Sequence, residues 1–186
     1  MFLSQLKTGG VICRQGEAAR LVPGYNTTYD LAKAAIAAGT TVAGIIEKQG
    51  AGDTVDLLAL AAEGKLDCPV RHPDPAHMYL TGTGLTHTGS ASARDSMHAD
   101  TAGMSDSMKM FRMGIEGGKP KPGEIGVQPE WFYKGNGFNA VAPNDDLVSP
   151  SFALDGGEEP EMAGIYVISG DGSPFRVGFA VSNEFS

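Results

Sequence analysis

Residues 155–186 read D-G-G-E-E-P-E-M-A-G-I-Y-V-I-S-G-D-G-S-P-F-R-V-G-F-A-V-S-N-E-F-S. Two arms with β-type composition, 158–169 and 174–185, flank Gly170-Asp171-Gly172-Ser173. Asp-Gly between β-branched and aromatic runs signals a hairpin, because these residues tolerate the positive φ of a tight turn. A two-residue loop at Asp171-Gly172 sets the register, with Glu159 opposite Glu184 and Glu161 opposite Ser182. Side chains alternate along a strand, so Glu159, Glu161 and Glu184 share one face, roughly 5 Å apart across the ladder. A three-residue loop would send Glu184 to the other face. Pro160 cannot donate to a ladder and points to an edge or a bulge at that position.

Like charges facing each other destabilise a sheet. Three explanations stand: a bound cation, a shared proton, or open solvent around an acidic edge. Oxygen-only ligands favour a hard ion, Mg2+, Mn2+ or Ca2+, over zinc.

The remaining composition sets the class. The chain has 186 residues, 41% hydrophobic, with Gly 26 and Pro 11, which suits a loop-rich α+β protein better than a helical bundle. A net charge of −8 disfavours nucleic acid and anionic membrane surfaces as partners. No apolar run approaches the ~20 residues that span a bilayer, and the first ten residues lack a signal-peptide layout. Cys13 and Cys68 have neither metal-like spacing nor a disulfide framework. A cytoplasmic protein is expected.

Residues 2–22 alternate short apolar pieces with turns and predict two or three strands. Three helices are expected next. The first covers Thr28 to Ala38, with Gly39 as its stop; the second runs from near Thr41 to Gly50. The third is expected to be capped by Asp53 and to end at Gly64. Pro69 to Pro75 (P-V-R-H-P-D-P) is a stiff extended linker, so two domains are expected, 1–74 and 75–186. His72 and His77 beside it are surface or turn histidines.

A strand at Met78–Thr81 empties into a Gly/Thr/Ser loop that carries His87, a common way to present a side chain to a pocket. Its glycines do not form a nucleotide fingerprint. Residues 91–118 are methionine-rich and suit an adaptable packing segment or a lid, with Ser105 or Asp106 capping a helix through Met113. His98, with Arg94 and Asp95, is expected to be structural. Gln128–Lys134 (Q-P-E-W-F-Y-K) is aromatic and strand-like. From residue 76 onward β signals dominate, which suits a coiled or rolled sheet.

Five stretches carry a family resemblance: T-G-T-G-L-T-H-T-G-S-A-S-A-R-D-S-M-H (81–98), S-D-S-M-K-M-F-R-M-G-I-E-G-G-K-P (105–120), P-E-W-F-Y-K-G (129–135), G-G-E-E-P-E-M-A-G-I-Y-V-I (156–168) and G-F-A-V-S-N-E-F-S (178–186). Residues 79–186 resemble the catalytic domain of the fumarylacetoacetate hydrolase (FAH) superfamily. The likeness is to its bacterial branch tied to 2-keto-3-deoxy sugar-acid breakdown, the arabonate-type dehydratase-like proteins. Residues 1–75 resemble the small N-terminal domain of that branch.

The resemblance implies a rolled β-sheet domain holding a divalent cation, usually Mg2+, on a Glu-x-Glu pair and an acidic residue of a later strand. The matching positions are Glu159, Glu161 and Glu184; most of the superfamily has aspartate at the last. It also implies a small 2-keto acid substrate, a homodimer, and a metal-stabilised enolate formed by proton loss at C3. A dehydratase then expels a hydroxyl from the next carbon, whereas a hydrolase or decarboxylase breaks a carbon–carbon bond. His87 matches the family's loop histidine and is the expected acid or base. Hydrolase members pair it with a glutamate three residues on, where this chain has Ser90, which argues against acylpyruvate hydrolysis. Lys134 resembles a lysine that helps hold a substrate carboxylate, and Thr86 and Ser90 complete the expected substrate contacts. The family's rolled sheet continues past the third ligand, so a C-terminally truncated domain is expected. An inactive fragment that retains only cation or partner binding is the further alternative.

Overall fold

The computed structural model describes residues 1–83, 105–128 and 130–185. The protein is α+β. It falls into two compact units, one of Met1–Pro75 with Ala140–Ser186 and one of Ala76–Asn139. Residues 140–186 group with the N-terminal segment. Three contacts within the first unit hold this return. Lys7 Nζ lies 2.6 Å from Asp145, Arg71 donates to the Ala140 carbonyl at 3.3 Å, and the Asn144 side-chain amide donates to the Ala61 carbonyl at 2.7 Å.

The N-terminal segment builds the core. Strands β1 (Phe2–Gln5), β2 (Val11–Gln15) and β3 (Ala18–Leu21) form an antiparallel sheet in the order β1-β2-β3. The central strand is apolar on both faces, so Val11, Ile12 and Cys13 are all buried. Helices α1 (Thr28–Ala37) and α2 (Val42–Gln49) contribute Leu31 and Ile46 to a cluster with Val11, Cys13 and Val22. Thr27 and Thr41 cap these helices by accepting from the amides of Asp30 and Gly44. Gly39 and Gly50 end them at positive φ, as the sequence led us to expect.

Helix α3 (Leu57–Ala62) starts later than expected, because Asp56 caps it and Asp53 does not. Residues 52–55 are instead held extended against β3. The Leu21 amide donates to the Asp53 carbonyl, the Val55 amide donates to the Ala19 carbonyl, and Thr54 bridges Arg20. An extended partner for the β3 edge takes precedence over helix propensity here.

The second unit holds β4 (Tyr79–Thr83), α4 (Asp106–Gly117, capped by Ser105) and β5 (Trp131–Asn136). Strands β4 and β5 pair antiparallel, with an irregularity between Leu80 and Thr81 that leaves Lys134 as the extra residue. In the first unit, β6 (Glu158–Ile168) and β7 (Pro174–Phe185) form a long antiparallel ribbon. Among the described residues these last four strands form two separate two-stranded ladders.

The ribbon's turn differs from the expected two-residue loop. Ser169 and Ser173 close it: the Ser169 amide donates to the Ser173 carbonyl at 3.0 Å, and the Gly172 amide donates to the Ser169 carbonyl at 2.9 Å. The loop is therefore Gly170–Gly172, with Gly172 at φ +86, the arrangement of a three-residue hairpin loop with a left-handed last residue. That loop alone would have moved Glu184 to the far face. A bulge between Ile165 and Tyr166 undoes the shift: Tyr166 pairs with Arg176 and Ile165 with Gly178, leaving Val177 as the extra residue.

Candidate functional site

Because the loop and the bulge offset each other, the outer half of the ribbon has the register read from the sequence. Glu159 lies opposite Glu184, Pro160 opposite Asn183 and Glu161 opposite Ser182. Directly opposite residues share a face, as do residues two apart, so Glu159, Glu161 and Glu184 lie on one face at one end of the ribbon. Glu159 and Glu161 are exposed and Glu184 is partly buried. Pro160 sits within β6, among residues whose exposure marks them as an outer stretch of strand.

The donor chemistry suits a hard divalent ion, since Glu159, Glu161 and Glu184 offer carboxylate oxygens and Ser182, opposite Glu161, adds a hydroxyl. The side-chain positions are less gathered. Among the described residues, no three His, Cys, Asp or Glu side chains form a group that could hold a metal. Glu161 and Glu184 each already interact with another group of the protein. Backbone register thus brings the three carboxylates to one end of one face, and side-chain rotation is what would close them around an ion. Exposed Glu159 rotates in picoseconds to nanoseconds, whereas Glu161 and Glu184 would first give up the contacts they now make.

Lys134 is exposed and lies at the β5 irregularity, with its Nζ 5.7 Å from the centre of the Phe132 ring. His87, Thr86 and Ser90 lie outside the described residues, as do Arg94, Asp95 and His98. His72 is partly buried and its ring meets Tyr29 edge-on, with centroids 4.8 Å apart. Its Nδ1 lies 2.8 Å from the Asp74 carbonyl oxygen and 3.0 Å from the Asp74 amide nitrogen, contacts within one turn. His77 is exposed in a short 3-10 turn, Pro75–His77.

Two features have no counterpart in the sequence reading. A cavity of about 390 Å3 lies between α1 and the ribbon tip, lined by Tyr29, Lys33, Ile36 and Ala37 and by residues 167–170. It is nine residues along β6 from Glu159, about 30 Å at the rise of a strand, so it is separate from the carboxylate face. The second is a set of exposed rings on the β4–β5 sheet, among them Tyr79, Trp131 and Tyr133. The period-two alternation of W-F-Y-K was the available signal, but strand composition alone does not show which face is left open.

Both Cys13 and Cys68 are buried free thiols, and burial pushes the thiol of each above its ordinary range. No protein-family model, curated protein or solved structure matches this chain.

Proposed function

We propose that this chain carries the metal-binding ribbon of a divalent-cation-dependent lyase, of the FAH-like rolled-sheet type, which dehydrates a 2-keto-3-deoxy sugar acid. The observation that carries this proposal is the register that sets Glu159 opposite Glu184, with Glu161 two residues along on the same face. Carboxylates that face one another carry a cost which a bound cation relieves. Mg2+, or Mn2+ or Ca2+, is the ion that oxygen donors of this kind select. When bound, it supplies Lewis-acid character, drawing electron density from a keto oxygen so that a neighbouring C–H proton leaves more readily.

The chain's own residues supply the remainder. Glu159, Glu161 and Glu184 anchor the ion and limit where a 2-keto acid can approach. His87 takes the C3 proton or returns one to the departing hydroxyl, a role suited to a ring that titrates near neutrality. Lys134 offers a cation to a substrate carboxylate, and Thr86 and Ser90 offer hydroxyls to the sugar-acid oxygens. Ser90 stands where a carboxylate would be needed to activate water through His87, which favours elimination over hydrolysis.

The test is turnover. The purified chain is incubated with Mg2+ and a panel of 2-keto-3-deoxy sugar acids, and products are identified by mass spectrometry. Loss of water from the substrate, abolished by chelation and in the His87→Ala variant, is the expected result. Carbon–carbon cleavage products would replace the lyase with a hydrolase or decarboxylase, and no turnover of any panel member would remove the proposal.

A further inference from the structure

The β4–β5 sheet leaves rings on the face that its own packing does not use. Leu80, Gly82 and Phe132 share one side. There the Phe132 ring lies across Gly82, and a Cβ on that glycine would meet it at 2.4 Å. Tyr79, Thr81, Thr83, Trp131 and Tyr133 alternate with these to the other side, and all five are exposed. Tyr79, Trp131 and Tyr133 retain 71%, 62% and 54% of their accessible surface, so none of the three is buried in a core. Tyr79 meets Tyr133 edge-on with centroids 6.2 Å apart and planes at 70°, which places both on the same face. Thr81 pairs with Tyr133 and Thr83 with Trp131, setting a hydroxyl beside each ring. Trp131 and Tyr133 are two residues apart on one strand, about 7 Å at a strand's rise.

We propose that this face binds a neutral carbohydrate chain, a run of hexopyranose rings whose hydroxyls are mostly equatorial. Such a ring presents a flat face of C–H bonds and a rim of hydroxyls. The protein face has the matching division, aromatic planes flanked by threonine hydroxyls, with polar Tyr and Trp tips in place of aliphatic groups. Tyr and Trp also lose little conformational freedom on binding, since each has only two side-chain torsions.

Charge selects among ligands that stack on rings. Single-stranded nucleic acid uses aromatic platforms too, but it needs cations along its backbone. None of the five described side chains on this face is ionised, and the chain carries a net charge of −8. The nearest lysine in sequence, Lys134, is the extra residue of the irregularity, and its Nζ reaches over the Phe132 ring on the opposite side. The chain's net negative charge opposes a polyanion and leaves a neutral ligand unaffected. This site shares no residue with the carboxylate face, so its test is independent of the lyase proposal.

Trp131 is the single tryptophan of the chain, so intrinsic fluorescence reports directly on this face. The full chain is titrated with cellohexaose, a soluble neutral β-linked glucan, while Trp131 emission is followed. A saturable change in emission is expected. Tyr133→Ala and Tyr79→Ala, each with far-UV circular dichroism confirming its fold, are expected to bind about fivefold or more weakly. Both keep the reporter, and the second alters a residue that is mostly in solvent. The proposal is overturned by an unchanged emission spectrum with cellohexaose, by unaltered affinity in both variants, or by tighter binding of an oligothymidylate than of the glucan.

Discussion

Replacing Gln5 by Leu tests how the N-terminal unit is held together, and its magnitude follows from one acceptor. Gln5 is 3% exposed, and its Oε1 lies 2.8 Å from the Thr28 amide nitrogen and 3.0 Å from the Thr28 hydroxyl oxygen. Thr28 is the first residue of α1, so its amide has no carbonyl within the helix to donate to. The Thr28 hydroxyl also reaches the Pro69 carbonyl at 2.5 Å and keeps that acceptor when Gln5 is lost. Leucine has a similar volume and fills the space, leaving one buried amide without an acceptor. Such an orphan costs about 1–3 kcal/mol. For a chain of 186 residues that corresponds to a fall in Tm of about 2–12 °C. Thermal unfolding followed by far-UV circular dichroism measures the shift, and hydrogen exchange at the Thr28 amide locates it. A Tm within about 1 °C of the parent, with Thr28 exchange unaltered, would refute the assignment of this bond as the helix anchor.

The buried thiols give a second expectation: Cys13 and Cys68 resist alkylation at mildly alkaline pH in the folded protein and react only after denaturant is added, read by a thiol-reactive chromophore. Rapid native labelling of either would contradict their burial. The hairpin turn gives a pH dependence. Hydrogen bonds from the Ser169 hydroxyl and then from the Ser173 amide hold the Asp171 carboxyl below its usual range. A depressed carboxyl stabilises the fold above its unfolded pKa, and that contribution is lost as pH falls through the lowered value. The amide shifts of Gly172 and Ser173 should therefore move only in acid, and Asp171→Asn should remove that titration. A turn equally pH-sensitive in the Asn variant would show that Asp171 is not responsible.

Much of the architecture was legible where one local signal acted alone. The starts of α1 and α2 near Thr28 and Thr41, Gly39 and Gly50 as stops, and the apolar runs of β2 and β7 each depend on neighbours in sequence. Reading Asp53 as a cap failed because residues 52–55 pair with β3, a partner about thirty positions back that composition cannot show. The carboxylate register is the instructive case. The two-residue turn was wrong, the outer pairing of Glu159 with Glu184 was right, and the extra residue at Val177 reconciles them. Gly-Asp-Gly supports either loop length, and a bulge depends on cross-strand packing with little local signature. The open face of β4–β5 was equally hidden, since alternation assigns residues to two faces without saying which one is covered.

The most direct measurement of the carboxylate face is Mn2+ binding followed by electron paramagnetic resonance of the free ion. If side chains 159, 161 and 184 close on one cation, the parent takes up Mn2+ at a single saturable site that Mg2+ displaces, and Glu159→Gln, Glu161→Gln and Glu184→Gln each weaken it at least about tenfold. Deleting the bulge residue Val177 should leave that site in place, because the pairs on either side of it then join in one continuous ladder. Uptake that does not saturate, or three Gln variants that bind as the parent does, would mean the ribbon end is a solvated acidic edge.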